Sequence, residues 1–104
     1  MIVVTTPTVP GAEIREALGL VRGSSVRTKH LGKDVIAALR NMAGGEIYEY
    51  TKMLAQAREQ SIDRMIEEAQ LLNADAVVAV RFQTSMVMKG AAEMLCYGTA
   101  VRLD

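Results

Sequence analysis

The sulfur-bearing residues near the end of the chain are where the sequence comes closest to a recognisable chemistry. Met86 and Met88 share one face of a strand, and Met94 and Cys96 share one face of the next, because strand side chains alternate with a period of two. If the turn between them pairs Met86 with Cys96 and Met88 with Met94, four soft donors converge, a set that suits Cu(I). A register slip of one residue puts the two pairs on opposite faces. Leu95, Tyr97, Val101 and Leu103 make one face of the last strand bulky, while Gly98 and Ala100 lie on the other. That contrast argues for the slip and leaves the methionines as core filler.

A second candidate is Arg58. Residues advance about 100° each around a helix, which places Arg58 in angle beside Ile47, Leu54 and Met65, inside an apolar stripe. A cation there needs a carboxylate or carbonyl partner, because burying it unpaired costs several kcal/mol. It either clamps an anionic ligand between subunits, ties two chains together or snorkels to a rim. On the opposite side Glu59, Asp63 and Glu67 stand at i, i+4 and i+8. They make either a strip for a hard cation or basic partner, or a solvated face relieved by Lys52 and Arg64.

The remaining tools are sparse. One His (His30, in the basic run Arg27–Lys33), one Cys and no CxxC or HxxxH spacing argue against a zinc site within one chain. There is no P-loop and no GxGxxG. Gly44-Gly45 ahead of a helix can present N–H groups to an anion, but a helix stop accounts for it equally well. No nucleophile–base pair or perturbed carboxylate pair is readable, so the expectation is a non-enzyme.

The elements that must position these residues begin with a stretch lacking Pro and internal Gly, which predicts one long helix over 45–73, ending at Asn73, a residue that tolerates the left-handed conformation. At ~1.5 Å per residue it runs roughly 40 Å, long for a 100-residue body. Its apolar arc, widened by Met53, Ala55, Ile66 and Leu71, exceeds the ~100° that one sheet needs, which implies a second apolar neighbour: another subunit. Strands are expected at about 2–6, 14–27, 75–88 and 93–103, with a short helix over 33–43 closed by Gly44-Gly45. Pro7 places the first strand at an edge, and Gly19 and Gly23 mark a bulge or bend in the second. The order ββααββ predicts an α+β domain with a mainly antiparallel sheet covered by the long helix.

The 104 residues are half hydrophobic and 23% charged, which fits a single globular domain. Twelve basic and twelve acidic residues cancel, so no overall field favours nucleic acid or an anionic membrane. Four aromatics offer no base-stacking platform. No apolar run approaches the ~18 residues of a membrane span, and the first residues carry no basic n-region, so a cytoplasmic location is expected.

Taken together, Val4-Thr5-Thr6-Pro7-Thr8, Gly44-Gly45 with Tyr50, Ala57-Arg58, Ala74-Asp75-Ala76-Val77-Val78 and Gly98-Thr99-Ala100-Val101 resemble the YbjQ-like family, small bacterial and archaeal proteins labelled heavy-metal-binding. The resemblance covers nearly the whole chain. It implies a dodecin-like α+β subunit that assembles with itself as a ring, a pentamer, and a heavy-metal ion as the candidate cofactor. It implies no established reaction. The family usually has Gly where this chain has Asn73. The expected function is therefore a non-enzymatic homo-oligomer, with a metal- or small-ligand-binding protein whose sites lie between subunits as the alternative.

Overall fold

The computed structural model of the protein describes residues 1–28, 48–88 and 91–104. Strand β1 is Ile2–Val3, β2 is Ile14–Thr28, helix α1 is Tyr48–Leu71, β3 is Ala76–Met88 and β4 is Ala91–Leu103. The architecture is α+β, as the sequence predicts. The short helix expected over 33–43, the Gly44-Gly45 pair, His30 and the first residues of the expected long helix lie outside the described residues.

One four-stranded sheet has the order β1-β3-β4-β2. β3 and β4 form an antiparallel hairpin, β2 pairs antiparallel with β4, and β1 pairs parallel with β3. The first strand does sit at an edge, and it is shorter than the expected 2–6. Beyond Val3 the chain stays beside β3 through single bonds: Val4 N–H donates to Val77 O at 3.0 Å, and Thr6 O accepts from Ala79 N–H at 2.8 Å. Pro7, which has no N–H, follows where that pairing ends.

The sheet is bulged twice where a residue has positive φ. Gly19, at φ 125°, lies at a shift in the β2–β4 register, as expected of a glycine in a strand. Ala79, at φ 54°, is the extra residue of a bulge in β3 between Val78 and Arg81. A left-handed alanine costs roughly 1–2 kcal/mol, so the surroundings must hold it. They do: Ala79 N–H is taken by Thr6 O, and Val80 N–H donates to Val4 O at 3.1 Å.

The helix packs on one face of β2 and β4 through Met53, Ala57, Ser61, Met65 and Ala69, all buried and each four residues from the last. Most are small because the backbones come close. A Cβ on Gly23 would collide with the backbone of Ser61 and Met65 and lie 2.9 Å from Arg64 Cβ. Gly23 therefore does not mark a bend, the alternative its sequence context offered; it lets α1 lie flush on β2. Val21, Met65, Ala69, Val77, Val80, Cys96 and Ala100 form the core between helix and sheet. Burying a side chain such as Met65 or Val77 stabilises by roughly 1.5–3 kcal/mol.

β4 corrects the expectation drawn from bulk. Its small-residue face (Ala92, Met94, Cys96, Gly98, Ala100) is the one buried under the helix, whereas Leu95 and Tyr97 are half-buried on the other side. A helix lying flush selects small residues, and Val77 and Val80 fill the space over Gly98. On the outer side, Ala76, Val78 and Val101 form a second cluster under Val4, Val9 and Leu103. The body is elongated: its Cα radius of gyration is 17.4 Å and its extents are 55 × 23 × 17 Å, against about 13 Å expected for a compact 100-residue domain.

Candidate functional site

The hairpin places the four sulfur candidates in two environments. Phe82 pairs with Cys96, Thr84 with Met94, Met86 with Ala92 and Met88 with Ala91. This register matches neither the converging pairing nor its one-residue slip. Met94 and Cys96 are buried beneath the helix, and Met86 and Met88 stand exposed near the hairpin tip, at 71% and 64% exposure. Within one chain the four sulfurs do not come together.

What the thiol meets is Met65, a residue of the helix's apolar stripe. Cys96 Sγ donates to Met65 Sδ at 3.5 Å, and Met94 Sδ accepts from Thr84 Oγ1 at 3.2 Å. Burial pushes the Cys96 thiol pKa up, because a thiolate has nothing there to replace its water. A buried, protonated thiol is a poor nucleophile and a poor metal ligand. Among the described residues no group of three His, Cys, Asp or Glu side chains is placed to hold a metal ion.

Arg58 lies outside the stripe that packs on the chain's own sheet. It is exposed, and among the described residues its backbone carbonyl accepts from Ser61 Oγ at 2.8 Å. The helical wheel misplaced it because the line of contact drifts. Each four-residue step from Met53 to Ala69 overshoots a full turn by about 40° as the helix crosses the sheet. Arg58 shares Met65's angle but sits two turns away, about 100° from its own neighbour Ala57. Glu59, Asp63 and Glu67 are exposed, as the wheel predicts.

A groove of about 620 Å³ runs between the first half of α1 and the end of β2, lined by Arg27, Lys52, Gln56, Glu59, Gln60 and Asp63. Gln60 Oε1 organises its inner wall, accepting from buried Ser25 Oγ at 2.7 Å and from Arg27 Nη2 at 3.2 Å. Two cations and two carboxylates balance across it, so it presents no single charge preference.

The face of the sheet away from the helix carries a different arrangement, which sequence reasoning missed. Arg22 on β2 and Arg81 on β3 both pair directly with Tyr97 on β4, so the three side chains share one face in a row across three strands. Both arginines are exposed and Tyr97 is half-buried. Arg81 reaches this face because the extra residue, Ala79, shifts the alternation of β3. No spacing in the sequence announces that.

The apolar surface is unusually open. Leu20 and Val26 on β2, Phe82, Met86, Val87 and Met88 on the hairpin, and Leu71 and Leu72 at the helix end are all exposed. β2 forms one edge of the sheet, and β1 pairs with β3 at Ala76 and Val77, leaving the edge of β3 that faces away from β4, from Arg81 to Met88, without a strand neighbour among the described residues.

A family model described as "Putative heavy-metal-binding" matches residues 1–104. The chain is 58% identical over 103 residues to a UPF0145 protein of Methanosarcina acetivorans, covering 99% of this chain and 97% of the relative. It is 60% identical over 103 residues to a UPF0145 protein of Archaeoglobus fulgidus, covering 99% and 95%. A crystal structure of a protein of unknown function from Pediococcus pentosaceus, assigned to the DUF74 family, superposes with a TM-score of 0.62 at 18% identity, covering 100% of this chain and 98% of that one. That likeness establishes the shared fold.

Proposed function

The chain belongs to the YbjQ family, and from that premise we propose that it is a non-enzymatic, cytoplasmic protein that assembles with itself into a ring of dodecin-like subunits, five to the ring. The observation that carries this reading is the uncovered apolar surface on an elongated body. Met86, Val87 and Met88 are exposed in succession near the hairpin tip, and Leu20 and Val26 are exposed on β2. Contiguous apolar surface on a soluble chain marks an interaction site. Among the described residues two different strand edges are open, β2 on one side and the outer part of β3 on the other. Edges that differ favour a head-to-tail contact, and head-to-tail contacts whose rotation closes form rings. The non-enzymatic part rests on Cys96, whose burial under the helix withholds the one thiol from chemistry.

The test replaces exposed tip residues, which form no part of the chain's own core. Met86→Lys with Val87→Glu lowers the assembly mass measured by light scattering while the far-ultraviolet circular dichroism stays that of the wild type. An assembly of unchanged mass removes the hairpin tip from the interface.

A second reading follows from the same tip. Met86 and Met88 present two thioethers to whatever covers them, so a ring gathers soft donors from several chains, a set suited to Cu(I). Cu(I) titration of the intact assembly shows saturable uptake that Met86→Leu/Met88→Leu abolishes; no uptake by the wild type dismisses the site.

A further inference from the structure

We propose that the open trough beside α1, with Arg58 at its centre, receives the outer sheet face of a second copy of this chain, whose Glu93 neutralises Arg58. The proposal rests on the ring reading and names the contact that builds it.

The trough follows from where the helix lies. Met53, Ala57, Ser61 and Met65 are buried against the sheet. The residue after each, Leu54, Arg58, Ile62 and Ile66, stands about 100° further round. On the other flank Gln60 accepts from Ser25 and Arg27, and Arg64 Nη1 donates to Ser24 O at 2.6 Å, all on β2. The row from Leu54 to Ile66 therefore faces the opposite way, toward β3. Leu54, Ile62 and Ile66 are half-buried and Arg58 is exposed. Val77 and Val80 of β3 are buried under α1, but further along that strand Phe82 and Met86 stay exposed. Both are on the helix side of the sheet, since they pair with buried Cys96 and Ala92. Thr84 between them marks the same face, because its Oγ1 donates to Met94 Sδ beneath the helix.

The two rows advance in step. Four helix residues rise about 6 Å and two strand residues about 6.7 Å. Gly23, against which the backbone of Ser61 and Met65 lies, pairs with Cys96 and so stands level with Phe82. Ser25, bonded to Gln60, pairs with Met94 and so stands level with Thr84. Ile62 is thus opposite Phe82, Arg58 opposite Thr84 and Leu54 opposite Met86. The result is an apolar trough with one cation halfway along it. Whatever covers its apolar residues also covers Arg58, and a covered cation requires a carboxylate.

The same chain carries the complement on its other face. Glu93 is half-buried on the side of the sheet away from the helix, paired with Val26 on β2 and Ser85 on β3, and Leu95 and Tyr97 follow it along that face of β4. Arg22 and Arg81 stand two rungs away, at Tyr97, about 13 Å along the strand. One carboxylate among apolar side chains matches one cation among apolar side chains, the pattern that fixes partner and register at an interface. The sheet separates Glu93 from Arg58 within a chain, and the ion pair recorded among the described residues is Arg15 with Asp104. Trough and patch are different surfaces, so copies joined this way stack head to tail, as a ring requires.

Light scattering and native mass spectrometry of the full chain across a dilution series test this. Arg58→Glu and Glu93→Arg should each raise the concentration at which the assembly dissociates by about tenfold or more, with circular dichroism unchanged. Arg58→Glu/Glu93→Arg together should return it to within about threefold of wild type. Glu93→Gln, which keeps the size of the side chain, should weaken assembly in the same direction. Single reversals that leave the assembly intact overturn the proposal, and the ring still stands if Met86→Lys/Val87→Glu dissociates it. Rescue of Arg58→Glu by Asp63→Arg and not by Glu93→Arg also overturns it, placing the partner carboxylate in the acidic row of the helix. A wild-type monomer removes the ring and this contact together.

Discussion

Replacing Gly23 by alanine tests the contact on which the fold turns. The added Cβ would fall inside the van der Waals radii of Ser61 O and Met65 N, both backbone atoms, and 2.9 Å from Arg64 Cβ. No rotamer change relieves a clash with backbone, so the helix must retreat by about 1 Å, loosening its contacts with Val21, Ser25 and Cys96. Overpacking of this kind costs about 1–3 kcal/mol and occasionally more; a clash on two backbone atoms belongs at the upper end, about 3 kcal/mol. For a domain of this size 1 kcal/mol moves the melting temperature by about 4–8 °C, so Gly23→Ala lowers it by roughly 12–24 °C in thermal unfolding followed by circular dichroism. Adding Ser61→Gly does not restore it, because the atoms struck belong to the backbone. A melting temperature within about 3 °C of wild type, or rescue by Ser61→Gly, refutes the flush helix–sheet contact.

Two further outcomes follow from single residues. Below about pH 8.5 the Cys96 thiol is protonated in both folded and unfolded chains. Above that the unfolded chain loses its proton first, because burial raises the folded pKa, so stability falls with rising pH by up to about 1.4 kcal/mol per unit until the folded thiol titrates. Cys96→Ala removes this component, and urea unfolding at pH 8 and pH 10 should show a smaller drop for the variant; an equal drop contradicts it. Asn73 sits at φ 58°, so Asn73→Ala costs about 1 kcal/mol whereas Asn73→Gly leaves stability unchanged or raised, by urea titration.

The strands and the long helix are legible in the sequence because they follow from local pattern. Asn73 reads as a helix terminus from its tolerance of the left-handed region, and the chain ends α1 with it in that conformation. The sulfur register and Arg58 were not legible, and for physical reasons. Ala79 inserts an extra residue where alanine rarely takes positive φ, so Val78 and Arg81, three apart and on opposite faces in an even strand, end on the same face. Arg22, Tyr97 and Arg81 become a row only through that bulge. The wheel at Arg58 assumes one straight line of contact, whereas the buried residues Met53 to Ala69 wind steadily around the helix. The small-residue face of β4 looked like the outside because bulk was equated with burial; Gly23 and Gly98 show that close backbone approach decided otherwise.

The assembly is the centre of the account, and the native mass of the wild-type protein tests it most directly. Native mass spectrometry, with light scattering in solution, should find a single species at five times the subunit mass of 11.3 kDa. A stable monomer across micromolar concentrations would contradict the ring and leave the exposed hairpin tip and the open strand edges without a partner.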